Sequence, residues 1–572
     1  MIEHLNPELW ETANRMLVAK AIGEFAHERL LTPADSRLTT DDGSVTYRFT
    51  ARHFDLDHWE VAPASIERIP AGPIDLLGFV LEFRTSLGLS AEVLPVYLEE
   101  LNASLSSVAY KLSRPAPTAA DLVDADFQTV ETSMTEGHPC FVANSGRLGF
   151  GIDDYHKYAP EAAHPVNLVW LAAHRDHSTF TCSADTTYDD HMAYELGDIS
   201  AFAAALAARG LDIADYHLLP VHPWQWENKL AVTFAGEVAT NRLVHLGPGP
   251  DDHLPQQSIR TFFNVSAPHR HYVKTAISVL NMGFMRGLSA AYMAATPAIN
   301  DWLRDLIEAD PVLKDTGLTI LRERAAIGYH PRPYEAATEP SSPYRKMLAA
   351  LWRESPVPGL PDGRRLATMA SLLHTDRAGD SFAAALVARS GLPPAEWLRR
   401  YLDAYLVPLL HSLYAYDLAF MPHGENVILV LREGVVERVI FKDIAEEIVL
   451  MDPAYDLPPA VARIKAEVPP DVRILSIFTD VFDSFFRFLA ARLSAVLPPE
   501  RFWQTVAECA STYLASVPEL ATRYDLFAEE FELSCLNRLQ LRDNRQMVSL
   551  TDPAGALQMA GKLRNPLAAH RS

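Results

Sequence analysis

The segment MPHGENVILVLREGVVERVIFKDIAEE, Met421 to Glu447, decides how this chain folds around its chemistry. Val427–Leu431 and Val435–Phe441 are apolar, β-branched runs separated by Arg432-Glu433-Gly434, which predicts an antiparallel hairpin with the glycine in its turn. Antiparallel strands return to one open end, so His423 and Asn426 before the first strand and Asp443 after the second are expected to converge. An amide oxygen beside a carboxylate suits Mg²⁺, which takes hard oxygen ligands and bridges substrate phosphates. Glu446 and Glu447 lie within a turn of Asp443 and could join the metal shell. A plainer reading stays open: His423-Gly424 is a turn, and Asp443 caps a helix beginning at Ile444.

The layout resembles protein kinases, in which an Asn and a later Asp across a hairpin hold Mg-ATP. A second β region supplies the cations. SIRTFFNV and HYVKTAISV flank Ala267-Pro268-His269-Arg270, as two strands of a hairpin would. If that hairpin closes near Pro268, the period-2 rule sets Ser258, Arg260 and Lys274 on one face. With Arg286 from NMGFMRGLS they make a candidate triphosphate cradle, Arg gripping oxygens bidentately and Lys acting as a point charge. Taken singly, each also fits an ordinary surface cation.

The rest of the chain bounds these readings. Its 572 residues are too many for one core. The net charge of −23 argues against a general nucleic-acid or anionic-membrane binder, so any anion site must be a local cationic cluster. Cys140, Cys182, Cys509 and Cys535 are too scattered for a zinc knuckle or a disulfide framework. With no basic leader and no apolar run of spanning length, the expected location is cytoplasmic. A P-loop and a G-x-S-x-G elbow are both missing.

Asn6-Pro7 predicts a helix start, followed by an apolar stripe at Leu9, Ala13, Leu17, Ala21 and Phe25. Residues 1–128 read as mainly helical. Turn formers crowd Glu136–Glu161, whose glycine-rich part alone is weak evidence for a nucleotide loop. Seven prolines between Tyr329 and Gly363 predict a domain junction. VHPWQW is expected to pack Trp224 and Trp226 into a core or interface.

Five motifs in series then identify a resemblance. EGHPCFVANSGRLGFG with DYHKYAPE downstream, LLPVHPWQWENK, QQSIRTFFN, VKTAISVLNMGFMRGLS and HGENVIL are similar to the NRPS-independent siderophore synthetases, the aerobactin-synthetase family. The resemblance runs from about residue 130 to the C-terminus. It implies an α+β multidomain fold: a thumb (1–128), a fingers domain (129–330) and a kinase-like palm (331–572), usually as a homodimer. It implies a ligase in which ATP and Mg²⁺ activate a carboxylate as an acyl adenylate and an amine or hydroxyl displaces AMP. Ser258, Arg260 and Thr261 match the family's phosphate-binding segment, Lys274 and Arg286 its cationic positions, and His423, Asn426 and Asp443 its palm motif. Arg260 and Lys274 are assigned to phosphates and Arg286 to the α-phosphate or substrate carboxylate. Asn426, Asp443 and Glu446 are assigned to Mg²⁺, and His423 to donation near the reacting carboxylate. His138 is a family-motif histidine placed with the substrate, and Lys562 is a candidate partner for the substrate carboxylate or a solvated tail lysine.

GHPCFVANSGRLGFG looks most like the branch that uses monoamide or monoester carboxylates, and ANRMLVAKAIGEFAHERL most like desferrioxamine-type enzymes. These join N-hydroxy-N-succinyl-cadaverine units through amide bonds and close the ring. An alcaligin- or aerobactin-like hydroxamate synthetase is the near alternative. A kinase-like phosphotransferase and a silent siderophore-binding protein are the rivals from other classes.

Overall fold

Asn6 opens the fold as its residue type requires. In the computed structural model, which describes residues 2–134, 136–544 and 558–571, its side chain accepts from Leu9 N at 3.1 Å and Pro7 starts a helix running to His27. Ala13, Leu17, Ala21 and Phe25 are buried on one face, which packs against the helix Leu94–Ser113 to form the N-terminal core. Short strands between Arg37 and Ile69 interrupt the helical texture, since Val45, Tyr47 and Phe49 alternate inward.

The middle of the chain builds an antiparallel sheet of eight strands. Their order is Ser178–Cys182, Glu323–Tyr329, Ala349–Arg353, Tyr272–Thr275, Thr261–Asn264, Leu243–Pro255, Val166–His174 and Tyr216–Val221. The expected junction at 330 falls inside this sheet. Prolines crowd both sides of Ala349–Arg353 but none lies within it, so they bracket a central strand, where a missing N–H would break the ladder.

The Met421–Glu447 reading holds closely. Val427–Arg432 pairs with Val435–Phe441 from Val427↔Phe441 to Arg432↔Val435. Glu433 at φ 48° and Gly434 at φ 79° make the turn, the left-handed pair that a two-residue hairpin needs. Arg365–Thr368 and Thr319–Ile320 complete a four-stranded sheet, backed by the long helix Pro394–Tyr416 and the largest core. The fold is α+β. The two sheets face each other where Tyr272–Thr275 and Ala349–Arg353 approach the open end of the hairpin.

Candidate active site

The hairpin's open end holds its backbone together through Lys442 N donating to Asn426 O at 2.9 Å. Gly424 is required just before it, because a Cβ there would lie 2.7 Å from Ala370 Cα. Asn426 is buried and donates its amide N–H to Met421 O at 3.1 Å, which leaves its amide oxygen for a ligand. Asp443 sits in the left-handed region at φ 60° and its side chain makes no cap. The helix-cap reading therefore fails: the carboxylate turns away to meet two cations from the eight-stranded sheet.

Those cations are Lys274 and Arg353. Lys274 Nζ donates to Asp443 Oδ1 at 2.6 Å and also to Glu446 Oε2. Arg353, 1% exposed, bonds Asp443 and reaches Glu323 Oε1 at 3.2 Å. Arg260 Nη2 stands 3.8 Å from Glu446, while its Nη1 donates to Arg286 O and Gly287 O at 3.2 and 2.7 Å. Arg286 in turn donates to Asn281 O at 3.0 Å. Three cations, Lys274, Arg353 and Arg260, thus meet Asp443 and Glu446 across the gap between two sheets, with Arg286 behind Arg260.

The charge states follow from that packing. Burial pushes the Asp443 carboxyl up, but Arg353 and then Lys274 outweigh it and hold the group well below the usual range. Glu446 is likewise lowered, burial being outweighed by Lys274 and Arg260. Burial would lower Lys274, yet Asp443 and Glu446 raise it. Arg286 is pushed down to about 10 by burial and by Arg260. Glu447 is pushed up to about 8 by burial, then by Asp443 and Glu446. Two carboxylates are thus anionic at neutral pH and a third is largely protonated, a split that marks functional sites.

The expected hairpin parity is corrected by the register. Thr261 pairs with Lys274, and Thr275 N bonds Arg260 O at 2.9 Å, so Lys274 shares its ladder position with Thr261. Ile259, a buried β-branched residue at φ 59°, turns the chain just before the strand. Arg260 reaches the site through Glu446 instead of through strand alternation. Ser258 Oγ donates to Thr261 Oγ1 at 2.8 Å, a pair of hydroxyls on the same turn.

His423 and His138 also come together, their ring centroids 5.8 Å apart. Burial pushes His423 down to about 4 despite Asp443, and it holds His138 well below the usual imidazole range, helped by His423. Both are neutral imidazoles at pH 7. They line a cleft with Gly137, Ala370, Leu373 and Phe485. Lys562 is not brought to this place by any described contact: it lies on Met559–Arg564, more than half exposed, 3.9 Å from Glu532. The solvated reading of that lysine is the one the fold supports. Trp224 is buried and donates to Asp154 at 3.1 Å, and Trp226 stacks on His245, as VHPWQW predicts.

Sequence reasoning missed Arg353 and Glu323. Neither stands in a recognisable motif; an arginine ending a buried strand, as in ALWR, is the one available signal. For an anionic ligand the donor set fits. The Nε atoms of Arg260 and Arg286 are buried without hydrogen-bond partners among the described residues, and such donors favour a ligand oxygen. For a divalent cation the ionised Asp443 and Glu446 with the Asn426 amide oxygen are a hard-oxygen set.

Comparison with known proteins gives this geometry its class. Residues 126–374 match the model of the IucA / IucC family, and residues 395–549 match one described as ferric iron reductase FhuF-like transporter. No described helix is long and apolar enough to cross a membrane. The chain is 46% identical to putrebactin synthase of Shewanella sp. (strain MR-4), with 99% of this chain and 93% of that protein covered. It is 30% identical to aerobactin synthase of Escherichia coli, with 92% of each covered. The aerobactin synthetase IucC structure from a hypervirulent pathotype of Klebsiella pneumoniae aligns at TM-score 0.86 and 29% identity, over 99% of this chain and 100% of that one. The fold and the relatives define a siderophore synthetase, a ligase that forms amide bonds. The chain belongs to the IucA/IucC family, the NRPS-independent siderophore synthetases.

Proposed function

We propose that the chain adenylates the carboxylate of a succinylated hydroxamate with ATP and Mg²⁺, then joins it to an amine. The observation that carries this reading is the cation set Arg260, Lys274 and Arg353 facing ionised Asp443 and Glu446 at the hairpin end, with Arg286 joined to Arg260 through its backbone carbonyl. A carboxylate oxygen attacking an α-phosphorus gathers several anionic oxygens, and fixed cations stabilise the charge that develops there. Pyrophosphate leaves in the first step. In the second the amine attacks the acyl carbon, loses a proton, and AMP departs.

Arg260 and Lys274 would hold phosphate oxygens, and Arg286 the α-phosphate or substrate carboxylate. Asn426, Asp443 and Glu446 would hold Mg²⁺, which supplies charge neutralisation for the phosphates. Lys274 now fills the space between the two carboxylates, so metal and nucleotide would release it toward phosphate. Neutral His423 keeps one N–H to donate toward the reacting carboxylate, with His138 beside it. Ser258 and Thr261 would contribute hydroxyls to the phosphate segment.

The substrate we favour is of desferrioxamine type, N-hydroxy-N-succinyl-cadaverine, oligomerised and closed to a ring by a cytoplasmic homodimer. The similarity to a putrebactin synthase supports a siderophore of another diamine length as the second reading. Incubation with Mg-ATP and succinylated hydroxamates of several diamines, followed by mass spectrometry, separates them. Release of AMP and pyrophosphate with amide products supports the proposal, ADP alone refutes adenylation, and the diamine turned over fastest identifies the substrate.

A further inference from the structure

We propose that His191, Glu195 and His271 form a zinc site on the face of the eight-stranded sheet opposite the active site. His191 and Glu195 are four residues apart on the helix Tyr188–Leu196, so both side chains leave the same side of it. His271 immediately precedes the strand Tyr272–Thr275. By strand alternation it shares a face with Val273, whose cross-strand partner is Trp352. Trp352 meets the His191 ring edge-on at 4.7 Å. Lys274 and Arg353, one residue on in each strand, point to Asp443 on the other side.

One donor atom from each of the three residues lies within 4.8 Å of the other two. His271 Nδ1 and Glu195 Oε1 are 2.5 Å apart, and the two imidazoles stack at 5.6 Å. An ion pair accounts for Glu195 and His271 alone. It leaves His191, 3% exposed, with its Nε2 buried and unpartnered among the described residues, a costly state for a polar atom. A shared cation would satisfy all three at once.

Two imidazoles and one carboxylate are the ligand types of three-residue zinc sites, with water in the fourth position. Ligand bonds of about 2.0–2.2 Å put tetrahedral donors about 3.3 Å apart, above the 2.5 Å between His271 and Glu195 and inside the 4.8 Å that encloses all three donors. Nitrogen donors disfavour Mg²⁺ and Ca²⁺. His271 is the most exposed of the three side chains, at 13%, and offers the route of entry. Bound zinc would tie the helix to the strand that carries Lys274, three residues beyond His271.

The test uses full-length protein stripped with chelator, reloaded with Zn²⁺ and desalted, with metal counted by mass spectrometry. The expected result is one equivalent in the wild type that is lost in both His271→Asn and Glu195→Gln, each checked for fold by circular dichroism. Cobalt in place of zinc should give the intense visible bands of a four-coordinate ion in the wild type only. These two positions are used because His191→Asn, at the most buried ligand, risks misfolding. No zinc difference between the wild type and either variant, or no cobalt bands, overturns the site.

Discussion

Lys274 Nζ lies 2.6 Å from Asp443 Oδ1, 169 residues apart in sequence, and this contact joins the eight-stranded sheet to the hairpin end of the four-stranded sheet. The site exists because two sheets meet.

Replacing Lys274 by Met should abolish turnover and loosen the sheet contact. Asp443 keeps Arg353, but Glu446 is left with Arg260 at 3.8 Å. Breaking a buried ion pair from one side costs about 3–5 kcal/mol. Added Mg²⁺ should raise the thermal midpoint of the variant more than that of the wild type, because a cation then rejoins the carboxylates. Calorimetry with and without Mg²⁺ checks this, and equal shifts would count against the metal assignment.

Arg260→Ala should cut kcat by about 10²–10³-fold, the size seen when one preorganised donor to transition-state charge is removed. Its side-chain hydrogen bonds go to two backbone carbonyls and its ion pair with Glu446 is long at 3.8 Å, with Lys274 still on that carboxylate, so circular dichroism should be unchanged. Pyrophosphate release gives the rate; wild-type turnover would remove Arg260 from the site.

Glu447→Gln should stabilise the ligand-free protein at high pH. Burial first, then Asp443 and Glu446, push the Glu447 carboxyl up to about 8. The native state therefore binds a proton that the unfolded chain has released between about pH 4.5 and 8, so this group lowers stability as pH rises through that window. Glutamine removes the penalty. Thermal midpoints at pH 5 and pH 8 should differ between variant and wild type mainly at pH 8; a constant offset would contradict the shift.

Arg487→Met should destabilise the join between the N-terminal helix and the C-terminal core without touching substrate. Arg487 donates to both Glu24 oxygens, at 2.7 and 3.2 Å, and through Nε to the Asp483 backbone O at 2.7 Å, with Asp483 Oδ1 at 3.1 Å as an ion-pair partner, all nearly buried. Two carboxylates would lose their cation, at a cost of about 3–5 kcal/mol. The thermal midpoint should fall while KM of the folded fraction stays at the wild-type value, and an unchanged midpoint would contradict the argument.

What could be read from residue order was local. Asn6-Pro7 carried its helix start, and the apolar runs Val427–Leu431 and Val435–Phe441 around Arg432-Glu433-Gly434 carried the hairpin, because each depends on backbone geometry within a few residues. His423, Asn426 and Asp443 followed from that hairpin. The Tyr329–Gly363 prolines misled, since composition marks where regular structure cannot run but is silent about a strand between the breaks.

The sequence by itself determined the hairpin, the polar residues at its open end and, through its motifs, the family. Tertiary structure decided which cations meet those residues. The register Thr261↔Lys274 runs across a connection of several residues that propensity does not set, and the turn at Ile259 re-aims Arg260. Arg353 reaches Asp443 only because its strand enters the sheet beside Tyr272–Thr275. Contacts of that range depend on how sheets pack and on the burial that follows, and no window along the chain contains that information.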